Sequence, residues 1–330
     1  MNRRSLIAAL GLISAAKTLP AQMTRPARMV LVHSGIRADH LIETSPTAWI
    51  REFFMELRKL GYAEGPDFIV ERYSAEGHVE RFRELAQAVV SRKPDVIVTN
   101  GPLVNPLKAA THDLPILAIM GDPITQGVAS NLGHPAGNIT GVSVDGGIEL
   151  YGKQVQILKA ALPYARKIVY LSSPTSWDGA LGQAVRSAAE GLGISLVGIP
   201  IEEATPSEFR RAFAEAERQQ LDAVMVSPSG EFLAHRELIV QLAQRLRLPG
   251  MYPYRDFVDA GGLMAYAPDL RELARRLADQ VRQILNGAKA SEIPIFQPTT
   301  FRLILNLKTA RAIGIVLASS VLADADEIIE

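Results

Sequence analysis

From Arg28 onward, short apolar runs alternate with amphipathic stretches. Met29-Val30-Leu31-Val32 reads as a buried strand that ends in His33-Ser34-Gly35. Trp49, Ile50, Phe53, Phe54, Leu57 and Leu60 recur at helical spacing, and Gly61 stops that helix. Phe68 to Val70 is a second strand and Phe82 to Val90 a second helix. Asp95-Val96-Ile97-Val98-Thr99 forms a third strand before the turn Asn100-Gly101-Pro102. Ile116 to Met120 is a fourth, followed by Gly121-Asp122-Pro123. Continuous apolar strands separated by helices predict a parallel sheet covered on both faces.

The rhythm restarts after the turn Pro135-Ala136-Gly137-Asn138. Ile148 to Leu162 is a helix, and Lys167 to Leu171 a strand running into Ser172-Ser173-Pro174. Ala223 to Val226 is a strand running into Ser227-Pro228-Ser229-Gly230. Leu270 to Leu285 is a long amphipathic helix ended by Asn286-Gly287. There is an internal echo. Lys93-Pro94-Asp95 before one strand matches Gln220-Leu221-Asp222 before another, and Leu114-Pro115 matches Leu248-Pro249. Two similar α/β lobes are expected.

The 330 residues suffice for two such lobes. The 35 basic and 35 acidic residues balance, which argues against a nucleic-acid surface. With no cysteine, disulfides, thiolate metal sites and a Cys nucleophile are excluded. Arg3-Arg4, the apolar run Ser5 to Ala16 and Leu19-Pro20-Ala21 have the form of a signal peptide cut near Ala21. The apolar run is too short to span a bilayer. Cleavage would remove three basic residues and no acidic one, leaving a net charge of −3. Export by the general or the twin-arginine route fits equally.

In parallel α/β sheets, ligands bind beyond the carboxyl ends of the strands. The expected ligand-binding residues are therefore His33, Ser34, Gly35, Thr99, Asn100, Gly101, Gly121, Asp122 and Pro123 in the first half. In the second half they are Ser172, Ser173, Ser227, Pro228, Ser229, Tyr252 and Tyr254. Backbone amides after Thr99 or Ser172 would hold an anionic group, Asp122 an ammonium, and a tyrosine ring a flat or apolar part. Enzyme signatures are weak. No Gly-x-Gly-x-x-Gly follows the first strand, and there is no phosphate-binding lysine loop. Gly141-Val142-Ser143-Val144-Asp145 lacks the last glycine of a nucleophile elbow. The six histidines have no zinc spacing, and no acidic pair is apparent on neighbouring strand ends. Neither metal nor cofactor is expected.

Leu60-Gly61-Tyr62 with Glu64-Gly65, Gly121-Asp122-Pro123, and Gly127 through Leu132 followed by Pro135 through Gly141 resemble one known family. Ala260-Gly261-Gly262-Leu263-Met264 with Tyr266, Gln297-Pro298-Thr299 and Asn306 through Ala310 extend the likeness over nearly the whole mature chain. The family is that of the ABC-transporter substrate-binding proteins related to the tryptophan and tyrosine import proteins.

The resemblance implies a type I periplasmic-binding protein, with two Rossmann-like lobes joined by three crossing segments. It divides the chain into lobe one, residues 27–142 with 267–290, and lobe two, residues 143–266 with 291–330. It implies a periplasmic solute carrier: capture of an amino acid or related small carboxylate by hinge closure, and delivery to a permease and its ATPase at the inner membrane. A monomer that is not an enzyme is expected. A ligand-sensing subunit of a signalling receptor, or a periplasmic α/β enzyme, are the alternatives. The loop His33-Ser34-Gly35-Ile36-Arg37 departs from the family's aromatic amino acid binders, so the ligand's identity does not carry over, and Thr99-Asn100-Gly101-Pro102 departs from the family's commoner small-residue turn.

Overall fold

The computed structural model describes residues 25–330 apart from 136 and 148; the expected signal peptide lies outside the described residues. The first sheet holds β1 (Ala27–His33), β2 (Phe68–Ser74), β3 (Val96–Asn100), β4 (Ile116–Met120) and β5 (Ile139–Ser143). Its order is β2-β1-β3-β4-β5 and every pairing is parallel. The second sheet holds β6 (Lys167–Ser172), β7 (Ser195–Pro200), β8 (Ala223–Val226), β9 (Gly250–Tyr252) and β10 (Met264–Ala267), then β11 (Arg302–Asn306) and β12 (Glu327–Ile329). Its order is β12-β11-β10-β9-β8-β6-β7, with β10 and β11 antiparallel. These are the two expected Rossmann-like lobes of an α/β fold.

β5 adds to the elements expected from the pattern. Two hydroxyl residues and a glycine interrupt it, so no apolar run announces it, yet all five residues are buried. Gly141 has φ +140°, and a Cβ there would lie 2.1 Å from the Ala118 carbonyl oxygen. Only glycine lets β5 approach β4 this closely.

The helix Leu270–Leu285 shows how local signals set an element's ends. The Asp269 side chain accepts from the Arg271 amide at its start, and Gly287 turns left-handed at φ +94° beyond its end. Leu273, Leu277, Val281 and Ile284 form its buried stripe, packed on the helix Ala48–Lys59. Truncating one such leucine to alanine costs about 2–5 kcal/mol. Buried Gln280 donates to the carbonyls of Gly141 and Pro294, at 3.0 and 3.2 Å. That ties the helix to the first sheet.

The chain passes between the sheets three times: after β5, after β10, and before β11. The segment Ile293–Phe296, which the expected division assigns to lobe two, runs along the first sheet. The Thr140 hydroxyl donates to the Ile293 carbonyl, and Phe296 pairs with Val142. All three crossings meet at Phe301. Its ring occupies the space a Cβ on Gly146 would need, and it lies 6.0 Å from the Tyr266 ring.

Candidate ligand-binding cleft

The carboxyl ends of the two sheets face one another across a cavity of about 750 Å³. That size suits a small molecule. Nine of the expected residues line it: His33, Asn100, Gly101, Gly121, Asp122, Ser173, Pro228, Ser229 and Tyr254.

The others sit behind or beside it. Thr99, Ser172 and Ser227 are buried at strand ends, and each hydroxyl lacks a protein partner. The Pro123 carbonyl accepts from the amides of Val128 and Ala129, which closes the loop behind Asp122. Ser34 holds Asn100 in place: the Ser34 amide donates to Asn100 Oδ1 and Asn100 Nδ2 donates to Ser34 Oγ, both at 2.9 Å. This reciprocal pair sets the amide's orientation and joins the ends of β1 and β3. Tyr252 is in the core, stacked on Phe257 at 5.1 Å, with its ring in the space beside Gly250 and Gly262. Alternation along β9 turns that ring away from the cleft, and Tyr254 lies past the strand's end, where the chain has left the sheet.

His33 is a donor to the cleft. Its Nδ1 accepts from the amides of Gly35 and Ile36, at 3.0 and 2.8 Å. Burial lowers its pKa to about 3, so the ring is neutral and carries its proton on Nε2. Trp49 stacks beside it at 6.1 Å.

The lining also includes residues that the reading of the sequence did not single out for the cleft, among them Trp49, Asp145, Tyr151 and Glu231. Asp145 lies two residues past β5, and Asp122 two residues past the neighbouring β4. The expectation of no acidic pair on adjoining strand ends is therefore corrected. The missing signal was β5 itself, since the pairing register alone brings these carboxylates side by side.

Asp145 Oδ1 accepts from the Gly147 amide at 2.9 Å, and its carbonyl accepts from Gln297 Nε2 at 3.0 Å. Burial raises its pKa, and nearby Asp122 and Glu149 add to the rise, against hydrogen bonds from Gly147 and Tyr151. Burial also raises the phenol of Tyr254, with Asp145, Asp256 and Glu231 adding to the effect.

The lobes touch directly above the cavity. A Cβ on Gly35 would lie 2.8 Å from Glu231 Cα, and one on Gly230 would lie 2.4 Å from Asn100 Nδ2. Gly35 follows β1 and Asn100 ends β3 in the first lobe, whereas Gly230 and Glu231 open a short helix, Gly230–Ala234, after β8 in the second. The arrangement is a closed one, with glycines at the seam.

Two sheets that face across a cavity, joined by three crossings, define a solute-binding protein of the type I periplasmic class. The comparisons agree. The family model for ABC transporter substrate binding protein matches residues 45–329, and the chain belongs to that family. A tyrosine-binding protein of Clostridioides difficile is 22% identical over 264 residues, which is 79% of this chain and 75% of that one. Among solved structures, a conserved domain protein from Vibrio cholerae aligns with TM-score 0.79 at 21% identity. An ABC domain from Streptococcus pneumonia in complex with L-Trp aligns at 0.77 and 22%. Each alignment covers 92% of this chain and 100% of the other. Members of the family are solute carriers rather than enzymes: they bind small molecules and work with an ABC permease and its ATPase. Among the described residues, no helix is long and apolar enough to cross a membrane.

Proposed function

We propose that the chain captures an amino acid or related small solute in the interlobe cleft and closes over it. The observation that carries this reading is the cavity lined by strand ends of both sheets. Closure buries the solute, and reopening at the permease releases it. The tyrosine-binding relative and the Trp-bound neighbour support an amino acid as the ligand class. The cleft has the matching groups. Asp145, with Asp122 beside it, receives an ammonium; the His33 Nε2 proton and Ser173 donate to an acceptor on the other side; Trp49 and Tyr254 cover apolar parts. In this reading Asn100 is a strut, since both ends of its amide are engaged by Ser34. The mature protein begins after Ala21, works in the periplasm and is a monomer.

Mass spectrometry of freshly denatured protein identifies a carried solute, and titration calorimetry measures its affinity. Small-angle scattering with and without the solute then reads closure. An unchanged radius of gyration with a saturating bound solute sinks the proposal. Acidification protonates Asp145 and releases an ammonium ligand. Because its pKa is raised in the fold, release begins above the pH at which an ordinary aspartate titrates.

A further inference from the structure

The charges of the cleft are all of one sign. Asp122, Asp145, Glu202 and Glu231 line it, and among the described residues no lysine or arginine does. His33 adds no charge, because burial keeps it neutral. Over the whole chain the two signs are equal in number, so this segregation is local.

Two of the carboxylates lie deep. Asp145 and Glu231 are each only 8% exposed, and they approach Tyr254 from different lobes. Glu231 Oε2 accepts from the Ser229 hydroxyl at 2.5 Å, while Oε1 is buried with no hydrogen-bond partner. A buried, unpartnered carboxylate oxygen is costly, and buried Asp145 has the further cost of Asp122 nearby. A cationic guest in the cavity that Asp145 and Glu231 both line supplies the missing donor and offsets their charges. Tyr254 and Tyr151, both buried, line the same cavity, and an aromatic ring there is compatible with a cation.

A neutral zwitterion fits this site less well. Its ammonium is served, but its carboxylate meets only neutral donors in a field of four acids. We infer that the cleft selects solutes of net positive charge: basic amino acids or the amines that correspond to them. This rests on the solute-capture reading and specifies its ligand class.

The test is calorimetry on the mature full chain with L-arginine, L-lysine, agmatine, putrescine, L-tyrosine, L-tryptophan and L-glutamate. At least one cation is expected to bind on the order of 100-fold more tightly than the neutral amino acids, with L-glutamate not binding. Arginine against agmatine separates the two sources, since a tighter arginine assigns a place to the carboxylate and a tighter agmatine denies one. Asp145→Asn and Glu231→Gln keep side-chain shape and should each weaken the cation by about tenfold or more, with apo melting unchanged or raised. Tighter binding of tyrosine, tryptophan or glutamate than of every cation overturns the inference and leaves solute capture standing. So does loss of no affinity in either variant. If no solute, supplied or carried through purification, binds and closes the lobes, both readings fail.

Discussion

The two sheets repeat one plan and then diverge. Read from β7, the second sheet runs β7-β6-β8-β9-β10, which is the order β2-β1-β3-β4-β5 of the first. The echo in the sequence falls on equivalent strands: Lys93 through Asp95 enters β3, Gln220 through Asp222 enters β8. Lys93 and Gln220 both sit at positive φ, 49° and 53°. Asp95 accepts from the Arg28 amide at 2.8 Å, and Asp222 accepts from the amides of Arg166 and Lys167 at 2.8 Å. Each aspartate thus clamps the start of its sheet's first strand. The divergence is at the fifth strand. The first sheet ends at β5, whereas the second continues past β10 into β11 and β12. The two lobes thus share a scaffold and differ in cleft chemistry. The first lobe presents His33, Asn100 and the Asp122–Asp145 pair, the second a capped turn at Ser229 and Glu231.

The sharpest way to break the seam between the lobes is Gly230→Val. Its added carbons fall on Asn100, so closure is blocked while each lobe keeps its core. Affinity for the native solute should drop on the order of 100-fold, about 2.8 kcal/mol at 1.4 kcal/mol per tenfold. Scattering should show a more open form, and wild-type affinity in this variant would refute the closed seam.

Next is pH. His33 has an unfolded pKa near 6.5 and a folded one of about 3, so protonation favours the unfolded chain. Its contribution to stability is intact above pH 6.5 and is lost as pH falls toward 3. His33→Asn should flatten the loss of melting temperature across that window, and an unaltered slope would exclude His33 as its source.

The clamp comparison is sharpened by Asp95→Ala and Asp222→Ala. Each removes charged acceptors from strand-start amides and should cost about 1–3 kcal/mol in chemical denaturation. Comparable losses with unchanged ligand affinity support equivalence, and a large effect in one lobe alone contradicts it. The smallest effect is at the positive-φ pair. Lys93→Gly and Gln220→Gly relieve left-handed strain against added chain entropy, so each should shift stability by less than about 1 kcal/mol.

Much of the scaffold was legible because its signals are local. Apolar runs marked β1, β3, β4, β6 and β8, and the stripe with its Asp269 cap and Gly287 stop marked the longest helix. β5 was not legible, because burial there depends on the glycine approach to Ala118 rather than on an apolar run. Without β5, the Asp145 partnership with Asp122 could not be seen. Tyr252 and Tyr254 looked alike in sequence, yet one is in the core and the other at the cleft.

The sequence by itself determined the two-lobed α/β plan, the loops from which a cleft is built and the family, because periodicity, caps and turn residues act within a few positions. Tertiary structure alone decided which of those loop residues meet, which charges share the cavity and where the lobes touch. Those outcomes depend on strand register and on contacts between residues as far apart as Gly35 and Glu231, where no local rule operates.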